Sequence, residues 1–341
     1  MEEKRRLRLP PGKIPVTLLE EVVFRNLGIE RKEVALGPAA GRDGSVINVG
    51  ERSLIVSMDP ITGAVERIGW LAVNINANDI ATFGVPPSIF LSCILLPEKA
   101  EPSTVKTICE QMDKAAKDLD IAIVGGHCEV TPGFLNPSVV GCAMGSTEKD
   151  NYVTSAGARS GDKIILTKSA GIEGTAILAS DKEEQLRMEV EPPVLENAKK
   201  HFSQISVVKD ALTAFNTGGV NAMHDPTEGG ILGGIHELAD ASNIGVTIFE
   251  EKIPIRPETL HICRFFKIDP LQLISSGALL ISAIPGSAED IIQDLHKQRI
   301  PGTVVGEASS EPKKRKLVKR TGVAVRLPRP TSDHLWIALK H

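Results

Sequence analysis

The sequence predicts an α+β protein of two domains. At 341 residues the chain is long enough for about two hydrophobic cores. Short apolar strand patterns dominate the first half, which predicts a strand-rich domain with helices over one face. Strand and helix patterns both occur in the second half, which predicts an α+β domain. We expect a basic, Pro-rich arm over residues 1–12, a first domain over 13–152 and a second over 153–341.

Composition argues against several classes of partner. A formal net charge of −4 disfavours binding to nucleic acid or to anionic membranes through bulk charge. An aromatic content of 4% disfavours stacking on single-stranded nucleic acid. No apolar run approaches membrane-spanning length, and the five cysteines form no CxxC pair, which is typical of reduced thiols. We therefore expect a cytoplasmic protein without nucleic-acid or membrane partners.

Residues 59–87 carry the most informative local pattern. A strand over Ser53–Met58 is expected to deliver Asp59 into a turn that includes Gly63. A helix is then expected from about Val65 to Phe83, because glycine and two prolines follow it and prevent its continuation.

Asp79 lies on the apolar stripe of this expected helix. Leu71, Ile75 and Asp79 follow i, i+4 spacing, so the carboxylate extends a mostly hydrophobic face. A carboxylate on a buried face must be neutralised, paired or bound to a metal. This pattern alone leaves open a metal ligand or a structural acid that is paired with an arginine or a backbone N–H.

Asp43 is a second candidate acid. It lies in a Gly-rich loop before an alternating strand pattern over Ser45–Val49, which is expected to form a hairpin with Ser53–Met58. Alone, Asp43 would be a solvated turn residue. Because its strand is expected to pair with the strand that leads to Asp59, the two acids are candidates for one site.

A Gly-Gly pair follows the expected strand Ile121–Val124. Without a Cβ, Gly125 and Gly126 would let backbone N–H groups approach an anion. We expect His127 and Glu129 to project from the same turn. The motif is weak alone, because a single histidine after a strand is often structural.

The second domain contains a comparable acid beside a helix. After an expected strand over Val220–Met223, Asp225 precedes Gly229 and Gly230, which open a helix through Ala241. A helix N-terminus favours anions. An acid at that position is consistent with a divalent cation that bridges it to phosphate. The alternative is that Asp225 caps the helix.

These motifs, in this order, resemble the superfamily of aminoimidazole ribonucleotide synthetase (PurM), the hydrogenase-maturation protein HypE, selenophosphate synthetase and thiamine-monophosphate kinase. The resemblance covers roughly residues 13–335. The HDPTxGG motif of the HypE branch is present as residues 224–230. The chain is similar to a HypE-like, AIR synthase-related paralogue.

The resemblance implies a PurM-like fold with ATP and Mg²⁺ as cofactors. Its N-terminal domain would pair in a homodimer to build a shared β-barrel flanked by helices, and its C-terminal domain would be an α/β sandwich. By position, the implied metal ligands are Asp43, Asp59 and Asp79. The implied nucleotide-binding residues are Asn78, Gly125, Gly126, Asp225, Thr227 and Gly229, and the implied catalytic residues are His127 and Glu129.

Three departures from the HypE pattern affect the expected reaction. His127 replaces the acid of the usual GGD segment, so Glu129 is expected to supply a carboxylate instead. Glu228 stands where HypE commonly has arginine. HypE proteins end in a cysteine that carries the carbamoyl group, whereas no cysteine follows Cys263 here, which argues against dehydration of a carbamoyl group to a thiocyanate.

Three functional hypotheses follow from the resemblance. The first is an enzyme that uses Mg-ATP to phosphorylate, and so activate, a carbonyl or carboxamide oxygen of a small molecule or carrier. The second is a small-molecule kinase similar to thiamine-monophosphate kinase. The third is a non-catalytic, ATP-binding assembly factor of the hydrogenase-maturation type.

Overall fold

A computed structural model describes residue 9, residues 12–62 and residues 66–340. Most of the expected arm, Gly63 of the expected turn and Val65 at the expected helix start lie outside the described residues. The strands are β1 (Val34–Leu36), β2 (Ser45–Val49), β3 (Arg52–Ile61), β4 (Pro87–Leu96), β5 (Ala122–Val130), β6 (Ser138–Glu148), β7 (Lys163–Thr167), β8 (Val220–His224), β9 (Gly245–Phe249), β10 (Leu280–Ala283), β11 (Gly302–Ser309), β12 (Arg315–Val318) and β13 (Ala324–Arg326). The α-helices are α1 (Val16–Leu18), α2 (Ile68–Ala81), α3 (Pro102–Asp118), α4 (Ile172–Asp181), α5 (Glu183–Leu186), α6 (Pro192–Lys199), α7 (Val208–Thr217), α8 (Gly230–Ala241), α9 (Pro257–Phe266), α10 (Ala288–Lys297) and α11 (His334–Leu339).

The first sheet has six strands in the order β1-β2-β3-β6-β4-β5. Its neighbouring strands are antiparallel, except for the parallel pair β4 and β5. Within the described residues this is an open sheet whose edges are β1 and β5. The strand-rich first domain is thus confirmed.

Helices α2 and α3 pack on this sheet for different reasons. Every residue of α2 except Trp70 is buried, and its four buried polar side chains are hydrogen-bonded. Helix α3 is amphipathic and buries one face, which includes Ile108 and Met112. Gly69 permits the close approach of the two helices, because a Cβ there would lie 2.3 Å from the carbonyl oxygen of Ile108.

The second sheet has the order β13-β12-β9-β11-β7-β10-β8 and lies between two layers of helices. Alternate residues of β7 enter different cores, as the two-residue period of a strand requires. Ile165 joins the core that extends into the first domain, whereas Ile164 and Leu166 pack with α8 residues such as Ile235. The mixed α+β class and the two-domain organisation are therefore confirmed.

Two expected strand ends are wrong. Asp59 lies inside β3, which pairs with β6 throughout its length. Beyond Val56 no described strand pairs with the other side of β3, so Pro60 removes no described ladder hydrogen bond there. The expected turn at Gly125–Gly126 is also absent, because β5 continues to Val130.

The sequence of residues 16–26 predicts an amphipathic helix, and this prediction is wrong. The structure has a short α1 followed by a π-type turn over Leu19–Val23, and neither buries a residue. Val16, Val22 and Val23 remain exposed, so the apolar face has no described surface to pack against. Tertiary packing provides most helix stability, which explains the short regular segment. No helix in the described part of the chain is long and apolar enough to cross a membrane.

Gly126 is required where β4 and β5 approach closely. A Cβ at Gly126 would lie 1.9 Å from the carbonyl oxygen of Ser92, whereas a Cβ at Gly125 would meet nothing within 4 Å. Both residues have positive φ angles, of 153° and 158°. We predict that Gly126→Ala lowers the free energy of unfolding by about 1–3 kcal/mol more than Gly125→Ala does. Urea denaturation of both variants measures the difference, and equal losses would contradict the packing argument.

Candidate functional site

A cluster of carboxylates lies where the two domains meet, and we call the space around Asp43, Asp59, Asp79 and Asp225 the cleft. Asp43 comes from the loop before β2, and Asp225 directly follows β8. Ligand atoms of Asp43, His224 and Asp225 all lie within 4.8 Å of one another. The fold thus joins two of the acids that the sequence indicated separately.

His224 links two carboxylates across this cleft. Its Nδ1 lies 2.7 Å from Oδ1 of Asp43, and its Nε2 lies 2.9 Å from Oε2 of Glu237 on α8. Burial alone would lower the pKa of His224, but these two carboxylates raise it well above its ordinary value. Because both ring nitrogens serve carboxylates, His224 orients Asp43 and is not itself placed as a metal ligand.

Asp79 and Asp59 complete the cluster from the first domain. Burial raises the pKa of Asp79 well above its ordinary value, and the carboxylates of Asp59, Asp225 and Asp43 raise it further. Ser57 lies beneath them, with Oγ 2.6 Å from Oδ2 of Asp79 and 2.7 Å from the backbone oxygen of Asp43. The predicted metal residues Asp43, Asp59 and Asp79 are therefore close enough to influence one another.

The cluster carries more buried negative charge than its described contacts satisfy. Asp225 is 1% exposed, and its Oδ2 has no described hydrogen-bond partner. Burial and the Asp43 carboxylate raise the pKa of Asp225 to about 8, against the lowering effect of His224. A set of carboxylate oxygens with one unpartnered member suits a hard divalent cation. The residues present therefore fit Mg²⁺, because Asp43 and Asp225 bring ligand atoms close together and Asp59 and Asp79 add two carboxylates near them.

Asn78 lies apart from the acids and connects the two domains. Its Nδ2 donates to the carbonyl oxygen of Ile205 at 2.9 Å, and its Oδ1 accepts from the backbone nitrogen of Val207 at 2.8 Å. Asn76 instead contacts Asp59, since its Oδ1 accepts from the backbone nitrogen of Asp59 at 2.8 Å. Both polar atoms of the Asn78 side chain thus bond to the second domain, and its role beside the metal ligands stays a prediction.

The Gly-Gly motif and its neighbours lie on the exposed edge strand β5. In register, Asp59 pairs with Gly141, Gly141 with Ser92 and Ser92 with Gly126, so three strand spacings, or about 14 Å, separate Asp59 from Gly126. Within one chain the structure does not bring Gly125 and Gly126 to the acids.

The proposed catalytic pair shares that exposed strand. His127 Nε2 lies 3.0 Å from Oε2 of Glu129, and both side chains are exposed. They are on one face of β5 rather than in a common turn. Their catalytic role stays a prediction.

The loop before α8 is fixed by an acid that the sequence analysis missed. Asp333 accepts from the backbone nitrogens of Gly229 at 2.7 Å, Ile274 at 3.2 Å and Leu335 at 2.7 Å. The Gly229 N–H, expected to face phosphate, is therefore used within the protein. Thr227 lies in the same loop, and its Oγ1 accepts from Lys13 at 3.1 Å.

Lys13, Glu237 and Glu173 are further polar residues of the cleft that sequence reasoning missed. Glu237 lies on the α8 face towards His224, and its pKa is lowered by Lys13 and His224 although burial would raise it. Glu173 is buried, its Oε2 has no described partner, and burial raises its pKa to about 7. One signal for these residues was present in the sequence: Glu237 lies on the helix that follows the 224–230 motif, about two turns after its start.

Comparisons with known proteins agree with this architecture. Residues 41–147 match the family described as "AIR synthase related protein, N-terminal domain", and residues 159–319 match the corresponding C-terminal domain. A protein named as a hydrogenase expression/formation protein of Methanocaldococcus jannaschii is 28% identical over 89% of this chain and 90% of its own length. Carbamoyl dehydratase HypE of Rhizobium leguminosarum bv. viciae is 30% identical over 75% of this chain and 73% of its own.

Solved structures show the same fold. The HypE–HypF complex contains a chain with a TM-score of 0.76 and 21% identity, which covers 92% of this chain and 99% of its own. HypE in complex with ATP has a TM-score of 0.71 and 20% identity, and covers 96% of this chain and 98% of its own. At these identities the likeness concerns the fold.

Asn78 should matter for stability. We predict that Asn78→Ala lowers the free energy of unfolding by about 2–4 kcal/mol, because it leaves two buried backbone groups without partners. Asn74 is a matched control on the same helix, since it bonds only to the carbonyl oxygen of Trp70, one turn earlier. Asn74→Ala should cost about 1 kcal/mol. Urea denaturation compares them, and a smaller loss for Asn78→Ala than for Asn74→Ala would refute the assignment.

The buried carboxylate of Asp225 should lower the free energy of unfolding when no cation is bound. Its pKa is raised from 3.8 to about 8, so the folded state retains a proton that the unfolded state has released. Stability of the wild type relative to Asp225→Asn should therefore fall as pH rises from about 4 to about 8, then level off.

Thermal unfolding at several pH values, with and without MgCl₂, measures this effect. Mg²⁺ should raise the melting temperature of the wild type and leave Asp225→Asn nearly unchanged, because a ligand stabilises only the state that binds it. An equal response of both proteins to Mg²⁺ would show that Asp225 is not a ligand.

Proposed function

Because the chain belongs to the AIR synthase related protein family, we propose that it binds Mg-ATP in the cleft between its domains and transfers the γ-phosphoryl group to an oxygen of an acceptor. One observation carries this proposal: four aspartates meet there, two of them nearly fully buried, with one carboxylate oxygen unpartnered. Named relatives support the cofactor, since a HypE structure of the same fold is a complex with ATP.

The four aspartates would hold the cation, and the other residues position them. Mg²⁺ would neutralise phosphate charge and favour attack on the γ-phosphorus. His224 holds Asp43 in place by a 2.7 Å contact, and Ser57 holds Asp79. Thr227 contributes a hydroxyl from the loop that follows Asp225.

The acceptor would be a carbonyl or carboxamide oxygen of a small molecule or carrier. Phosphorylation of such an oxygen makes it a good leaving group for a later step. The naming of relatives as carbamoyl dehydratase supports this class of acceptor, and the HypE–HypF complex supports a protein-borne one.

A homodimer through the first sheet is also part of the proposal. All nine residues of β5 are exposed, including the apolar Ile123, Val124 and Val130. A long exposed edge strand with apolar side chains is a template for pairing with another strand. Pairing of β5 with a second copy would build the shared barrel and cover His127 and Glu129. The domain boundary near residue 152 belongs to the same proposal.

Two substitutions test the metal site. Asp59→Asn and Asp79→Asn should each weaken binding of Mg-ATP at least tenfold, because each removes a negative charge that faces the cation. Asp120→Asn is the control, since Asp120 is exposed and its positive φ of 58° suits asparagine. Titration calorimetry and size-exclusion chromatography report affinity and assembly. Unchanged affinity in both site variants would remove the metal assignment.

Phosphorus NMR of ATP with candidate acceptors identifies the reaction class. The proposal predicts ADP together with inorganic phosphate, as the activated oxygen leaves. A stable phosphoester would instead indicate a small-molecule kinase, and an intact nucleotide with every acceptor would indicate an assembly factor that binds without turnover.

A further inference from the structure

Lys13, which precedes α1, lies beside the acid-lined cleft. The backbone nitrogen of Lys13 donates to Oε2 of Glu228 at 2.7 Å. The Nζ of Lys13 donates to Oγ1 of Thr227 at 3.1 Å and to Oε1 of Glu237 at 3.3 Å. Three contacts therefore connect Lys13 to the loop that follows Asp225 and to α8.

Lys13 brings a positive charge to the carboxylates. The carboxylates of Glu237, Asp59 and Asp43 all raise its pKa, although desolvation acts in the opposite direction. Among the described ion pairs, Lys13 is the only lysine or arginine that reaches this cluster. Its side chain also remains 55% exposed, so solvent and ligands have access to it.

The contacts leave Lys13 able to bind a further group. An ammonium has three N–H donors, and Thr227 and Glu237 accept from two of them. The carboxylate of Glu237 is already paired with the imidazole of His224, so its charge can be compensated without the ammonium of Lys13. A divalent cation at the aspartates would leave the phosphates of a nucleotide with uncompensated negative charge, which lysine commonly neutralises.

We propose that Lys13 binds the terminal phosphates of the nucleotide, and that Glu228 positions it by holding its backbone. This inference rests on the proposed binding of Mg-ATP in the cleft. Thr227 and Lys13, which are hydrogen-bonded to each other, would then both contact the phosphates. Lys13 would thereby be part of the binding site.

The packing at Gly12 supports a defined path for this segment. Gly12 has a φ of 101°, and a Cβ there would lie 2.8 Å from Oε2 of Glu228 and 3.2 Å from Nε1 of Trp336 on α11. Glu228 and α11 therefore confine the backbone at this point. Glu228 thus fixes the backbone of Lys13, and the side chain of Lys13 would reach the ligand.

Calorimetry with two probes at saturating Mg²⁺ tests the proposal. The probes are the non-hydrolysable analogue AMP-PNP, which carries the terminal phosphates, and adenosine, which lacks them. Lys13→Met should weaken AMP-PNP about tenfold or more and leave adenosine unchanged, since one charge-assisted contact is lost. Lys13→Arg should retain most of the affinity. Lys32→Met, at an exposed position, is the matched control and should bind as the wild type does.

Glu228→Ala tests the positioning role, because it removes the oxygen that accepts from the Lys13 backbone. It should weaken AMP-PNP less than Lys13→Met does, and the double variant should be no weaker than Lys13→Met alone, because both act through one contact. A second readout is tryptic cleavage after Lys13, which Mg-AMP-PNP should slow in the wild type and slow less in Glu228→Ala.

The outcomes separate this inference from the proposed function. Equal or tighter AMP-PNP binding by Lys13→Met would show that Lys13 is only a counter-ion of the empty cleft, and would overturn the inference. If Asp79→Asn still loses binding in that case, the proposed function stands. A wild type that binds no AMP-PNP would overturn both.

Discussion

Burial of several carboxylates in one cleft costs free energy unless positive charge shares the space, and the arrangement of this protein follows from that constraint. Asp79 and Asp225 are nearly inaccessible and lie beside Asp43 and Asp59. The protein offsets part of this cost itself. Acidic and basic side chains alternate in a series that runs from Asp43 through His224 and Glu237 to Lys13, with contacts of 2.7 to 3.3 Å. Asp225 and Asp79 stand outside this series, and their raised pKa values are the cost that a bound cation would relieve.

The fold brings these groups together from distant parts of the chain. One hydrophobic core extends from the first sheet and α2 into the helices of the second domain, so the cleft has packed walls on both sides. Asn78 adds hydrogen bonds across the same boundary. Asp333 fixes the loop before α8. The site therefore depends on the relative placement of two domains, which packing and a few buried polar contacts maintain.

Local patterns predicted the elements well and the site partly. The hairpin of β2 and β3 and the helix α8, which follows two glycines and runs to Ala241, were predicted from local patterns, because each is decided by neighbours in sequence. The end of β5 was mispredicted, because pairing with β4 overrides the tendency of two glycines to break a strand. Lys13 and Glu237 were missed because their partners lie far away: Lys13 and Thr227 are 214 residues apart. The contacts of Asn78 with the second domain were not foreseen, because its partners Ile205 and Val207 lie 127 and 129 residues away in sequence.

The central claim is that the four aspartates form one divalent-cation site that carries a nucleotide. Crystals grown with ATP and Mn²⁺ in place of Mg²⁺, measured at the manganese absorption edge, test it most directly. The account predicts an anomalous peak within about 2.0–2.6 Å of carboxylate oxygens of this cluster, with phosphate density on its far side. A peak at other residues, or nucleotide density without a metal at these aspartates, would contradict it.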